Sequence, residues 1–306
     1  MDEVFDVMII GAGAAGLTAG IYASRARLAT LIVNEGAVGG QMVLTEEIAN
    51  YPGVPATKGY MLANIMKEQA KSFGCKIKSN IKIVAYRFEG KIKEVELEDG
   101  RTFQAKSVIL TPGGRPRSLN IPGEERYKGS GISYCATCDG DFFTGKEVVV
   151  VGGGNSALEE AVALTQYATK VTIVHQFNHF QAFKHAIEEA RKNPKINFIL
   201  ESELRGFYGN GKLEKVELEH LPTGKRSELR TDGTFIFAGY QPNTENLKGL
   251  VHLNDRNEIV VDASMKTNTE GVFAAGDCIV KRYRQITTAV AEGTIAALSA
   301  ADYLRN

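Results

Sequence analysis

The chain repeats one pattern at an interval of 141 residues (148 − 7). Residues 7–33, VMIIGAGAAGLTAGIYASRARLATLIV, align with residues 148–174, VVVVGGGNSALEEAVALTQYATKVTIV, without a gap over 27 positions. Each copy has a short apolar run, a glycine-bearing turn, a stretch with apolar residues three and four apart, and a second β-branched run. These periods spell strand, helix, strand, so each copy is expected to be a βαβ unit. A looser echo follows each copy: KIKEVELED at 91–99 resembles KLEKVELEH at 212–220. Its alternation marks half-exposed antiparallel strands. Each ladder leads to an apolar strand and a turn, at 108–114 in one copy and 235–239 in the other. Two α/β domains follow, and 306 residues suit two separate cores.

Beyond Thr244 too little chain is left for a third domain, yet it holds a strand-like run at 271–277 and a helix from about Gln285 to Leu304. Both need a sheet to cover. The tail is therefore expected to return to the first domain, which makes the second an insertion. The Gly- and Pro-bearing stretches 113–117 and 239–245 suit the two connections. The expected fold class is α/β, with two Rossmann-like three-layer βαβ domains. Residues 1–115 and 246–306 are expected to form a discontinuous first domain, and 116–245 an inserted second domain carrying a Cys-x-x-Cys.

Composition narrows the function. Thirty-six Lys plus Arg against 36 Asp plus Glu leave no formal charge, so no global field draws the chain to nucleic acid or anionic lipid. Glycine, at 32 residues, exceeds the usual level of about 7% and signals tight turns or close backbone approaches. Four cysteines in a chain this long are not a secreted disulfide framework. Met1-Asp2-Glu3 opens with acids where a signal peptide carries cations, and no apolar run reaches the roughly 18 residues of a membrane span. A soluble cytoplasmic protein is expected.

In the first copy Gly11, Gly13 and Gly16 fill Gly-x-Gly-x-x-Gly between a strand and a helix. The first glycine permits the turn, the second lets a pyrophosphate approach the backbone, and the third lets helix and strand pack. The helix start faces the phosphates. Ala14 and Ala15 lie inside this motif, and Glu35 closes the second strand 19 residues after Gly16, where a carboxylate can accept from an adenosine ribose. Asn34 beside it, and Thr111 and Gly113 in the turn after the last strand, join the candidate cofactor residues. In the second copy Gly152, Gly154 and Ala157 keep the fingerprint, with Asn155 and Ser156 between them.

Cys135 and Cys138 lie just before the second copy and are followed by Asp139. A zinc site is disfavoured because Cys75 and Cys278 stand alone and supply no second close pair. An inert pair of buried thiols is disfavoured because chance spacing of this kind is rare in a Cys-poor chain. The favoured reading is a redox-active disulfide, with Asp139 as general acid or base. A dithiol couple and a nicotinamide hydride each carry two electrons, and a flavin can connect them. The first site is expected to hold FAD, the second a nicotinamide dinucleotide.

The chain resembles the low-molecular-weight thioredoxin reductases over essentially its whole length. The resemblance rests on Gly11-Ala-Gly-Ala-Ala-Gly16, Gly39-Gly-Gln-Met42, Glu47-Ile-Ala-Asn-Tyr-Pro-Gly53, Tyr134-Cys-Ala-Thr-Cys-Asp-Gly140, Gly152-Gly-Gly-Asn-Ser-Ala157, Gly239-Tyr-Gln-Pro-Asn-Thr244, Gly271-Val-Phe-Ala-Ala-Gly-Asp277 and Tyr283-Arg-Gln-Ile-Thr287. It implies a homodimer, thioredoxin or a thioredoxin-like protein as partner, and a rotation that lets disulfide and nicotinamide take turns at the flavin. It also implies that Gly39, Gly40, Gln41 and Asn50 line FAD, that Gly276 and Asp277 meet its ribityl and phosphate part, and that Arg284, Gln285 and Ile286 open the last helix beside the ring. Cys75 and Cys278 match no catalytic position and are expected to be structural.

One departure concerns the electron donor. NADPH-using members carry arginines where this chain has Gln176, Phe177 and Gln181. Residues 175–182 contain no arginine, and His175 and His179, taken as unprotonated, are the only other basic side chains before Lys184. A 2′-phosphate is normally met by arginine forks. NADH is therefore expected over NADPH, its ribose bonded to Gln176, which stands where the first copy has Glu35. The alternative is a vestigial second site, with FAD reduced by ferredoxin or a deazaflavin. A third reading, a non-catalytic flavin and thiol sensor, is disfavoured by Asp139 beside an intact pair.

Overall fold

The computed structural model describes residues 3–45 and 48–305. Met1, Asp2 and Glu47, named above, lie outside the described residues. The first βαβ is β1 (Val4–Ile10), α1 (Ala14–Arg25) and β2 (Thr30–Val33), followed by α2 (Gly59–Ser72), β3 (Lys76–Lys78), β4 (Ile83–Arg87), β5 (Lys93–Leu97), β6 (Thr102–Leu110) and β7 (Gly114–Pro116). β1 pairs in parallel with β2 and β6, and β2 with β3. All four residues of β2 are buried, as a parallel strand covered on both faces requires. The period-two burial of β5 marks the antiparallel ladder β4–β5–β6, one face of which is wet. Nine residues long, β6 serves two neighbours on one side: Thr102–Ala105 pair with β5, while Val108, Ile109 and Leu110 take a parallel partner from the far end of the chain.

The inserted unit begins with α3 (Glu124–Tyr127), β8 (Ile132–Ser133) and α4 (Ala136–Asp139). The second βαβ is β9 (Glu147–Val151), α5 (Asn155–Leu164) and β10 (Lys170–Val174). Then come α6 (Lys184–Lys192), β11 (Ile196–Ile199), β12 (Ser202–Tyr208), β13 (Lys215–His220), β14 (Lys225–Arg230) and β15 (Gly233–Ile236). The sheet β11-β10-β9-β15-β8 is parallel throughout. β12-β13-β14 is an antiparallel meander. One core packs Val148, Val150, Leu158, Ile173 and Phe235 on the helix side, and another packs Val149, Val174, Val216, Leu218 and Ile236 on the meander side. Alternate residues of the same strands feed the two, as the pleat dictates.

The chain returns through β16 (Tyr240–Pro242), which pairs with β7. β17 (Val272–Ala274) then joins β6, and α7 (Ile286–Arg305) covers the first sheet. Ala289, Gly293, Ala296, Ala297 and Ala300 form the buried stripe of α7, and small side chains at this spacing bring it close to α1. The tail thus completes the first domain. The two compact units are Met1–Arg115 with Gln241–Asn306, and Pro116–Tyr240. The second boundary falls five residues before the expected 245/246 (246 − 241). Hydrogen bonds explain the difference: the Asn243 N–H donates to Gly113 O and its side chain to Pro112 O, each at 3.0 Å. The Thr244 hydroxyl donates to Asn257 O at 2.6 Å from a fully buried position. These bonds fasten the Pro242–Thr244 stretch to the first unit.

Phe235 is fully buried and meets Phe143 edge-on, with ring centroids 5.1 Å apart. Phe235→Ala is expected to destabilise the inserted unit by about 3–5 kcal/mol, read as an earlier denaturant transition of that unit by circular dichroism.

Candidate active site and dinucleotide cradles

Cys135 and Cys138 form a disulfide with Cα atoms 5.3 Å apart. Cys135 is the N-cap of α4, and its sulfur accepts the Cys138 N–H at 3.2 Å. Asp139 ends the same turn. Its Oδ2 lies 2.6 Å from the Ser133 hydroxyl, which also accepts the Cys135 N–H at 3.1 Å. Burial pushes the Asp139 carboxyl up from its ordinary range, Ser133 opposes that shift, and Asp141 adds to it. A carboxyl biased toward its protonated form can hold a proton next to a redox pair. The buried Cys75 and Cys278 are free thiols that burial pushes up to about 11 and about 12. Such thiols are poor nucleophiles. Among the described residues no group of three or more His, Cys, Asp or Glu side chains is arranged to hold a metal.

In the first unit Gly11 has φ +109°, and a Cβ there would sit 2.2 Å from Thr111 O. A Cβ on Gly16 would lie 2.0 Å from Gly11 O, so this glycine is what lets α1 approach the turn. Gly13 caps α1 without a side chain, leaving the N–H groups of Ala14 and Ala15 to an incoming anion. Thr111 and Asn34 turn out to hold the turn: the Thr111 hydroxyl bonds Ile10 O and Gly11 O at 3.0 Å, and Asn34 Oδ1 accepts the Ala12 N–H at 2.9 Å. Gly39 donates to Ala12 O at 2.8 Å, which sets Gly40 and the exposed Gln41 beside the same turn. Glu35 is exposed and accepts the Ile83 N–H through Oε1. Gly113 is anchored through the bond from Asn243.

The C-terminal candidates gather in this unit. Asn50 Nδ2 bonds Gln285 Oε1 at 3.3 Å, just before Ile286 opens α7. The Gly276 N–H donates to Glu292 Oε2 at 3.0 Å, and Lys281 Nζ lies 2.9 Å from that oxygen and 3.4 Å from Asp277 Oδ1. Arg284 pairs with Glu258 and donates to Asp277 O. Asp277 Oδ1 is buried, and the Lys281 ammonium at 3.4 Å is the long contact it makes within the unit. A carboxylate oxygen held only at that distance keeps capacity to accept from a closer donor such as a ribityl hydroxyl.

In the inserted unit Gly154 caps α5, and a Cβ there would meet nothing within 4 Å. The chain after β10 folds along this turn. The His175 ring lies so close to Gly153 that a Cβ would fall 2.3 Å from its Cε1. Its Nε2 lies 3.1 Å from His179 O, and the ring stacks on Phe180. The Gln181 N–H donates to Gly153 O at 2.8 Å and the Phe183 N–H to Asn155 Oδ1 at 2.7 Å. Desolvation pushes His175 down, toward neutral imidazole, so it brings no charge to a phosphate. Gln176 and Ser156 are exposed, and Ala157 is buried against the turn.

The pattern defining the pyridine nucleotide-disulphide oxidoreductases matches residues 5–293, and the chain belongs to that family. Within it the chain is of the low-molecular-weight thioredoxin reductase type. It is 46% identical to a thioredoxin reductase of Peptoclostridium acidaminophilum, over 99% of this chain and 98% of that one. It is 43% identical to a thioredoxin reductase of Bacillus subtilis, over 99% and 96%. The crystal structure of thioredoxin reductase from Streptococcus pyogenes superposes with a TM-score of 0.93 at 40% identity, covering 100% and 99% of the two chains. Enzymes of this type are FAD flavoproteins, and the open turn at Gly13 and the buried Asp277 carboxylate fit that cofactor.

Ser133, Lys281, Glu292 and Glu160 were not picked out by their residue types. A hydroxyl two residues before a cysteine is an ordinary residue until the fold brings it to Asp139. Glu160 did leave a signal: it sits three residues after Ala157 and four before Leu164, at the edge of the buried stripe of α5, and its Oε2 is shut off from solvent, where a carboxylate is out of place. Gly16→Val should destabilise the first unit by about 1–3 kcal/mol through overpacking and yield protein with little bound flavin, checked by the visible absorbance of the purified chain.

Proposed function

We propose that the protein is a thioredoxin-disulfide reductase whose Cys135–Cys138 disulfide is opened by two electrons delivered through FAD and, as a dithiol, reduces thioredoxin or a thioredoxin-like protein. The observation that carries this reading is the disulfide on α4 with the half-buried Asp139 carboxyl in the same turn. FAD supplies a two-electron carrier able to exchange with a hydride donor and with sulfur. Gly11 to Gly16, Gly39, Gly40 and Gln41 would hold its adenylate and pyrophosphate end, Glu35 the adenosine ribose, Asp277 the ribityl chain, and Asn50 with Gln285 and Ile286 the ring. Free buried thiols at Cys75 and Cys278 suit a reducing, cytoplasmic setting. The homodimer expected from the resemblance finds an apolar face in Tyr60, Met61 and Ile65, all exposed on α2.

We assign Cys135 as the sulfur that attacks the partner. It receives the Cys138 N–H and sits at a helix start, both of which favour a thiolate. Asp139, held by Ser133, would pass the proton that the thiol exchange releases or consumes. With Cys138→Ser, a stable mixed disulfide between Cys135 and thioredoxin is expected on non-reducing gels, and with Cys135→Ser none. Trapping through Cys138 would reverse the assignment.

NADH is the proposed donor over NADPH. The Gly154 turn supports a pyrophosphate seat, while the loop beside it presents Gln176, Phe177 and Gln181 and a neutral His175. Charge-assisted bonds are worth about 1.5–3 kcal/mol each, so missing arginines cost NADPH orders of magnitude in affinity. A second reading keeps the disulfide chemistry but takes electrons from ferredoxin or a deazaflavin. It is favoured by Asn155 being already engaged by Phe183 and by the lack of a carboxylate at position 176. Anaerobic addition of each donor, followed by flavin absorbance, separates them. NADH is expected to bleach the flavin at concentrations where NADPH does not. Equal bleaching by NADPH would refute the selectivity, and bleaching by reduced ferredoxin alone would install the second reading.

A further inference from the structure

Two carboxylates and one ammonium meet where the turn after β17 packs on α7, and the proposed reaction gives a task to one of the three. Lys281 Nζ lies 2.9 Å from Glu292 Oε2 and 3.4 Å from Asp277 Oδ1. The Lys281 side chain is 8% exposed, and those of Glu292 and Asp277 are 15% and 26% exposed. Glu292 Oε2 also accepts the Gly276 N–H at 3.0 Å. Glu292 and Lys281 thereby link the backbone of Gly276 to the side chain of Asp277. Beside this set Arg284 pairs with Glu258 and donates to Asp277 O.

The cluster stands against the first turn of α1. A Cβ on Gly276 would lie 2.9 Å from the Ala15 Cβ, and one on Gly293, which follows Glu292 on α7, would lie 2.3 Å from Ala15 O. The Gly11 to Gly16 motif would seat a diphosphate at this same turn. An anion there is favoured by the free N–H groups and the positive end of the helix. Each carboxylate charge nearby opposes it, the more strongly where little water screens the pair. Glu292 fastens the Gly276 turn and Asp277 would accept from the ribityl chain, so both acids have work to do and their charge needs an offset.

We propose that Lys281 is a positioning residue for FAD whose ammonium offsets the charge of Glu292 and Asp277 at the start of α1, so that one carboxylate fastens the turn and the other is offered to the cofactor without repelling the diphosphate. The three side chains sum to one negative charge with Lys281 present and to two without it. Glu258 and Arg284 offset each other. Burial pushes the Asp277 and Glu292 carboxyls up, and Lys281 opposes that shift in both, with Arg284 adding to the opposition at Asp277. A lysine ammonium, a compact charge on a flexible stem, can serve two carboxylates at once.

The inference rests on the FAD reading, and its test measures binding rather than turnover. Apoprotein is titrated with FAD at a pH above the carboxylate range, and flavin fluorescence gives the dissociation constant. Lys281→Met is expected to weaken FAD binding about tenfold. Glu292→Gln keeps an oxygen for the Gly276 N–H and removes a negative charge, so it is expected to bind FAD at least as tightly as the parent chain. The double variant has the parent's net charge and should recover most of the affinity that Lys281→Met loses. This asymmetry separates a charge offset from a purely structural ion pair, in which removing either partner does similar harm. Similar weakening by Lys281→Met and Glu292→Gln overturns the proposal, as does unchanged binding in Lys281→Met or a double variant that binds no better than Lys281→Met. Circular dichroism of each apoprotein checks that it is folded. If Lys281→Met does not fold, Lys281→Gln, which keeps a hydrogen-bond donor for Glu292 without the charge, is measured in its place. Failure of the FAD reading shows separately, as a parent chain that takes up no flavin at all.

Discussion

The constraint on which the proposed reaction depends is the α4 turn of four residues, which carries the Cys135–Cys138 disulfide and would have to hold a thiolate once it opens. Charge in a poorly solvated place needs donors, a counter-charge or a proton. The α4 turn has the first in the Cys138 N–H to Cys135 and the third in Asp139, which Ser133 holds in place. Its four-residue helix is too short to bury a core of its own. Its position comes from α5, whose Ala157, Leu158, Ala161 and Leu164 share a core with Ala136.

The two βαβ copies show how one backbone solution is adapted to different tasks. In both, a glycine after the first strand turns the chain, and a small residue at the third place lets the helix pack down. The surroundings of the turn then diverge. The first copy is braced by Thr111 and Asn34 and is completed by the Gly276–Asp277 turn, with Lys281 and Glu292 fastening that turn from within. The second copy is lined by its own downstream loop, whose His175 ring, Gln181 amide and Phe183 amide lie on the glycine turn and on Asn155. In the proposed reading the pyrophosphate seat is a property of the turn, whereas selectivity for what hangs from the ribose would belong to that loop.

The architecture was legible because it is periodic. Strand runs of period two, helical runs of period 3.6 and a 27-residue self-alignment identify βαβ units wherever they occur. The insertion was legible too, because an apolar strand and helix at the end of the chain had to find a sheet. The domain edge was misplaced by five residues, since the side-chain bonds of Asn243 and Thr244 to Pro112 and Asn257 carry no local signature. Thr111 and Asn34, expected among the cofactor residues, lie beside the first glycine turn and bond its backbone, a role that residue type does not distinguish from contact with a ligand.

The order of residues by itself determined the repeated units, the glycine turns, the cysteine pair and the loss of positive charge after β10. Each of these is a local pattern in which spacing and residue type suffice. Tertiary structure alone decided which acids are shielded from solvent and which hydroxyl meets Asp139. Those are contacts between segments far apart in the chain, and whether a carboxyl is ionised depends on the solvent and donors that such packing leaves around it.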